Sequence, residues 1–139
     1  MMRTATLCLL GLVLAGCDVE TGLRVDPECL ASTCRTGGRC SFIDGRCVIG
    51  SDEDCRQSLP CFEFGRCAAK NPGTAGATCV VGSTADCQQS DYCRDYGMCT
   101  LTPASGSCRA SSDEDCQQSV ICVTDGYCHC AQNSCRPTS

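Results

Sequence analysis

Apolar positions along this 139-residue chain begin with one run, Leu7 to Ala15, broken only by small residues and preceded by a single basic side chain, Arg3. The run is too short to span a bilayer as a helix of about 20 residues, and with its charged start it predicts a secretory signal over residues 1–16. No later segment has the 18 consecutive apolar residues of a membrane span. From Cys17 onward only 21 of 123 residues are Val, Ile, Leu, Met, Phe or Tyr. The positions that recur are cysteines.

Polar signatures place short elements between those cysteines. Ser51-Asp52-Glu53-Asp54, Ser83-Thr84-Ala85-Asp86 and Ser112-Asp113-Glu114-Asp115 each pair a serine with an acid three residues on. That pair satisfies free amides at a helix start, and the carboxylates suit its positive end. Helices of two turns or fewer are therefore predicted over 52–58, 84–90 and 113–119. The opening segment offers only Asp26-Pro27-Glu28, with aspartate as cap and proline in the first turn. Asp44-Gly45, Asn71-Pro72-Gly73, Pro103 with Gly106, and Asn133-Ser134 predict hairpins or tight loops.

The cysteines form four sets: Cys29, Cys34, Cys40, Cys47; Cys55, Cys61, Cys67, Cys79; Cys87, Cys93, Cys99, Cys108; and Cys116, Cys122, Cys128, Cys135. Five residues always separate second from third, and seven separate a fourth from the next first, while the last interval runs 6, 11, 8 and 6. Gly38, Gly65, Gly97 and Gly126 each stand two places before a third cysteine, which predicts positive φ or no room for a side chain. Ser58, Ser90 and Ser119 stand three after a first cysteine. The expected fold is thus small and disulfide-rich, with four tandem cysteine-stapled units, each a short helix plus a small β-hairpin or loop. The units span 26–50, 51–82, 83–111 and 112–139, after a tether over 17–25.

Nineteen cysteines with no tryptophan leave too little apolar surface for a conventional core and exclude most globular enzyme folds. A secreted chain enters an oxidising compartment, where paired thiols persist as disulfides. Four cysteines allow three pairings, which spacing does not decide. First with third and second with fourth is the preferred expectation, because it ties helix to hairpin from both sides. A metal cluster is the rival, but structural zinc sites use closer pairs and often histidine, and His129 is the only one here. Once Cys8 leaves with the signal and Cys17 is set aside, 17 cysteines remain. The odd one lies in Cys128-His129-Cys130, with Cys130 the candidate unpaired thiol and His129 beside it a weak candidate for stabilising a thiolate.

The signal ends in Leu14-Ala15-Gly16-Cys17, which resembles the lipobox of bacterial lipoproteins. The resemblance covers about 17 residues and implies cleavage before Cys17, a diacylglyceryl group on its sulfur and acylation, such as palmitate, of the new amino group. Two or three acyl chains hold a protein to a membrane where one chain is marginal. The outer membrane is the favoured destination, and Asp18, which implies inner-membrane retention in enteric lipoproteins, makes the periplasmic face of the inner membrane its rival. Losing residues 1–16 removes Arg3 and leaves 10 basic against 16 acidic residues, a net charge of −6. Nucleic acid and anionic lipid head groups are poor partners for such a chain as a whole.

No catalytic constellation emerges from the residues. The acidic clusters Asp52–Asp54 and Asp113–Asp115 have the oxygen chemistry of calcium ligands, but helix starts already account for them, so no metal or other cofactor is expected. The overall plan is similar to small cysteine-rich envelope lipoproteins of gliding and surface-adhering bacteria, which implies a non-catalytic binding or structural module meeting envelope or surface proteins in adhesion or motility. The alternative is a protease inhibitor presenting Lys70 in the long loop Ala68 to Thr78, where the competing reading is a solvated insertion. A third option is metal or redox handling through Cys130.

Overall fold

Residues 24–137 are described by the computed structural model. The signal, Cys17 and most of the tether lie outside them. In the first unit, helix α1 (Ala31–Gly37) leads into hairpin strands β1 (Ser41–Ile43) and β2 (Arg46–Val48). The second holds α2 (Asp52–Arg56), α3 (Leu59–Phe64), β3 (Ala68–Lys70) and β4 (Thr78–Val80). The third holds α4 (Thr84–Gln88), α5 (Asp91–Tyr96), β5 (Thr100–Thr102) and β6 (Ser107–Arg109). The fourth holds α6 (Asp113–Gln117), α7 (Val120–Asp125), β7 (His129–Ala131) and β8 (Ser134–Arg136). Each hairpin is a separate two-stranded antiparallel sheet.

The helix starts lie where the serine-acid pairs put them, but the helices end sooner than expected. Ser83 and Ser112 accept from the amides of Asp86 and Asp115, and Asp86 returns the bond to the Ser83 amide at 2.9 Å. The run then breaks after five residues, and Ser58, Ser90 and Ser119 take extended backbone to open a second helix. Their hydroxyls, buried, donate to the carbonyls of Cys55, Cys87 and Cys116 at 2.7, 2.7 and 2.6 Å. Ser90 and Ser119 also accept from the amides of Cys93 and Cys122. One hydroxyl therefore closes the last turn of one helix and caps the first turn of the next. The expected 52–58, 84–90 and 113–119 helices become pairs of helices.

The first unit departs from expectation more plainly. Asp26-Pro27-Glu28 forms a turn, closed by the Cys29 amide on the Asp26 carbonyl at 2.8 Å, and no helix starts there. The Asp26 carboxylate is taken by the Phe42 amide at 2.6 Å instead of capping a helix. Turn residues behave as their chemistry dictates: Asp44 and Gly45 both have positive φ, the mark of a mirror-image hairpin turn. In the last unit that turn is Gln132-Asn133, both left-handed, one residue ahead of the expected Asn133-Ser134.

All sixteen cysteines of the four sets are paired, but first with fourth and second with third. This corrects the expected first-third and second-fourth pairing. The reason is the recurring glycine. Gly38, Gly65, Gly97 and Gly126 have φ of 72°, 71°, 71° and 73° and end the last helix of each unit in the left-handed conformation. The chain doubles back there, which brings third cysteine to second with Cα atoms 4.5–4.6 Å apart. The fourth cysteine, at the centre of the second strand, is left for the first. A ring of about 6 residues contributes about 2 kcal/mol in the chain-entropy model and one of about 20 contributes about 3.

The same glycine joins one unit to the next. A Cβ on Gly65 would sit 2.7 Å from the Asp86 carbonyl oxygen, and one on Gly97 would sit 2.7 Å from both the Asp115 carbonyl oxygen and Cys135 Sγ. Backbone and disulfide of each following unit thus press on the bare glycine of the one before. Gln89 and Gln118 add side-chain donors to Cys67 Sγ and Cys99 Sγ of the preceding unit. Helices α1, α3, α5 and α7 pack one against the next, so the units form a linear stack. Gly126, in the fourth unit, is exposed and meets nothing within 4 Å among the described residues.

Twelve of the seventeen buried apolar residues are cysteines. The core is therefore a column of disulfides, filled out by Met98 and Ala110 between units three and four and by Ile49 and Ala77 around Cys55.

Candidate functional surface

The acidic clusters are occupied by their own chain. Asp52 and Asp113, first in their helices, accept from the amides of Ala69 at 2.7 Å and Cys130 at 2.6 Å, each at the centre of a first hairpin strand. Thr84 plays that part toward Leu101 at 3.3 Å. Asp54, Asp86 and Asp115 accept from the amides of Gly50, Gly82 and Ser111 at 2.7, 3.0 and 2.8 Å, and Asp54 and Asp115 also take the hydroxyls of Ser41 and Thr100. One acid latches helix to hairpin and the other tightens the chain entering the helix. Among the described residues, no three His, Cys, Asp or Glu side chains converge to hold a metal ion.

Cys128 takes the third structural position, which leaves Cys130 without a disulfide partner among the described cysteines. Cys130 lies in β7 directly across from Cys135, half-buried, with its thiol 3.4 Å from the Ala110 carbonyl oxygen. Burial pushes the thiol pKa up, and the carboxylates of Asp113 and Asp115 push it the same way. A thiol held protonated is a poor nucleophile. The neighbouring His129 ring, exposed, has Nδ1 2.9 Å from Asp113 Oδ1, so its polar contact is the carboxylate.

That carboxylate carries a measurable pH dependence. The Cys130 amide and then the His129 ring hold the Asp113 carboxyl below its ordinary 3.8. A depressed folded-state pKa gives stability that is present above the unfolded value and is lost as pH falls through the folded one. The latch on β7 is thus intact at neutral pH and opens in acid, below pH 3.8. Amide exchange at Cys130, corrected for intrinsic rate, is expected to accelerate there. Asp113→Asn is expected to remove that acid dependence; an unchanged exchange profile in the variant would contradict the assignment.

Lys70 is exposed at the end of β3, paired with Thr78 across the hairpin. The loop after it folds back: the Gly73 amide donates to the Ile49 carbonyl at 2.8 Å, and Ala77 is buried against Ile49 and Cys55. The insertion is tied to the junction of units one and two.

The surface feature that sequence reasoning missed is aromatic. Of six aromatic residues, Phe42, Phe62, Phe64 and Tyr96 are exposed. Phe62 is 54% exposed, Phe64 43% and Tyr96 49%, and on α7 Val120 and Val123 are 47% and 82% exposed. These residues stand on the successive helices α3, α5 and α7. Phe64, Tyr92 and Tyr96 meet edge to face with centroids 5.8 and 5.5 Å apart, and the Arg66 guanidinium lies 5.8 Å from the Phe64 centroid. Glu63, Asp91 and Asp95 rim the groove beside this ladder, with Arg94 bridging both aspartates. The available signal was the offset of these residues from the second cysteine, which becomes a surface pattern once that segment is known to be helical. Among the described residues no helix is long and apolar enough to cross a membrane. No protein family matches the chain, and neither a curated protein nor a solved structure shows significant similarity to it.

Proposed function

We propose that this chain is a lipid-anchored, non-catalytic binding or structural module of the bacterial cell envelope. Acyl chains on Cys17 hold it to the membrane, with the outer membrane favoured over the periplasmic face of the inner one. Its stapled units present the ridge of α3, α5 and α7 to an envelope or surface protein in adhesion or motility. The lipobox supports the anchor. The single observation that carries the binding role is where the aromatics sit: a chain poor in core formers leaves four of six on its surface, Phe62, Phe64 and Tyr96 among them. Large exposed aromatics on a rigid scaffold are the anchors on which protein contacts concentrate.

Photocrosslinking in intact cells tests this reading. Benzoylphenylalanine at Phe62 or Val123 is expected to capture the same envelope protein, while the probe at the exposed hairpin residue Ser105 captures none. No adduct from the ridge, or equal labelling from Ser105, would overturn the docking assignment. Mass spectrometry of the membrane-extracted protein checks the anchor separately, through acylation of Cys17.

A further inference from the structure

At the junction of the first two units the surface carries a charge opposite to that of the whole chain. Two adjoining cavities, about 280 and 340 Å³, share Arg39, Ile49 and Ala77 as a common wall. Arg46, at the start of β2, lines the first, and Arg66, between α3 and β3, lines the second. No carboxylate lines either one. None of the three guanidiniums is within 4.0 Å of a described carboxylate, whereas Arg56 and Arg94 both are. Three arginines from three different segments thus line a groove of two lobes on a chain whose net charge is negative, Arg39 in both lobes, Arg46 in the first and Arg66 in the second.

The groove owes its outer wall to the longest interval between third and fourth cysteines. Thr74, Ala75 and Ala77 come from that eleven-residue insertion, held down by Gly73 on Ile49. Thr33, Thr36 and Thr78 line the second lobe, where the Thr33 and Thr36 hydroxyls donate to the carbonyls of Leu30 and Ser32.

We propose that this groove binds a phosphate-monoester group. Guanidinium forks match phosphate oxygens in pairs, and two of them at one lobe exceed what a single carboxylate neutralises. A phosphate monoester carries nearly two charges and three strong acceptor oxygens, enough to meet Arg39 together with Arg46 in the first lobe or with Arg66 in the second. The absence of lining carboxylates removes the repulsion that the chain's net charge would otherwise impose. The ester comes either from a lipid head group or from a soluble phosphorylated sugar, and both present the same dianion.

Calorimetric titration of the full chain in nonionic detergent, at constant ionic strength, tests the site. The probes are inorganic phosphate, glucose 6-phosphate and micelles doped with phosphatidic acid, with sodium chloride as the control. Saturable binding of phosphate is expected, weakened at least tenfold by Arg39→Gln and several-fold by Arg46→Gln or Arg66→Gln, with Arg109→Gln on β6 unchanged. If glucose 6-phosphate binds in the same Arg39-dependent way and doped micelles do not, the source is soluble; the reverse pattern assigns it to lipid. Binding that does not saturate, matches chloride, or weakens equally in Arg109→Gln would overturn the proposal. Arg39, Arg46 and Arg66 are all exposed, so none of the three substitutions disturbs the core and each reads the site directly. Arg66 also lies 5.8 Å from Phe64 of the protein-docking ridge, so the Arg39 and Arg46 variants are the ones that separate this test from the ridge.

Discussion

Complete reduction, with the freed thiols alkylated, is expected to abolish the cooperative thermal transition of this protein. Twelve of seventeen buried apolar residues are cysteines, so the crosslinks are also the core. Four rings of about 6 residues and four of about 20 stabilise by roughly 20 kcal/mol together if their effects add, which exceeds the 5–15 kcal/mol net stability of an ordinary domain. Halved by non-additivity, the loss is about 10 kcal/mol, still as large as the net stability of an ordinary domain. Calorimetry or circular dichroism of the oxidised and the reduced, alkylated forms checks this, and a surviving cooperative melt in the alkylated form would refute the disulfide column as the source of stability. Reduction should begin at the pair Cys122–Cys128, whose sulfur-bearing residues are half-exposed, whereas Cys34–Cys40, Cys61–Cys67 and Cys93–Cys99 are buried. Partial reduction followed by peptide mapping reads that order.

Gly97→Ala is expected to be the most damaging single substitution of a glycine, and Gly126→Ala a mild one. Both positions require a left-handed backbone, at φ 71° and 73°, which costs an alanine about 1–2 kcal/mol. At Gly97 the new methyl also meets the Asp115 carbonyl oxygen and Cys135 Sγ at 2.7 Å. Overpacking of that kind adds about 1–3 kcal/mol, because backbone and disulfide have no free rotamer to yield. Denaturant unfolding of the oxidised proteins should therefore show a loss of about 2–5 kcal/mol for Gly97→Ala and about 1–2 kcal/mol for Gly126→Ala. Equal losses would mean that units three and four do not press on each other at this glycine.

These two positions also mark how far the fold can be read from the chain. The glycine at a constant offset announces a special backbone, and the structure shows positive φ at all four positions and no room for a side chain at Gly38, Gly65 and Gly97. Helix starts and hairpin turns were readable because serine, aspartate and glycine act on amides within three or four residues of themselves. The second helix of units two to four was not, because Ser58, Ser90 and Ser119 each stand between two helices, while a linear reading ends the first helix on them. Disulfide pairing was unreadable for a different reason: it follows from the reversal at the glycine, and spacing is the same for every connectivity. The groove at Arg39, Arg46 and Arg66 gathers side chains distant in sequence behind a loop whose path depends on one hydrogen bond, Gly73 to Ile49. The aromatic ridge needed the missing helix before its offsets had meaning.

The unit-to-unit joint has a consequence for how such a molecule changes over generations. At its centre a bare glycine meets a carbonyl oxygen and a sulfur, with Gln89 and Gln118 reaching back beside it and Met98 and Ala110 filling the joint between units three and four. A duplicated unit that carries these few residues arrives compatible with its neighbours, so lengthening by whole units is an easy step. The eleven-residue insertion in the second unit shows that a hairpin can also lengthen, here by folding back on Ile49 at the junction with the first unit. Reach can be altered by copying, and chemistry by rewriting one hairpin.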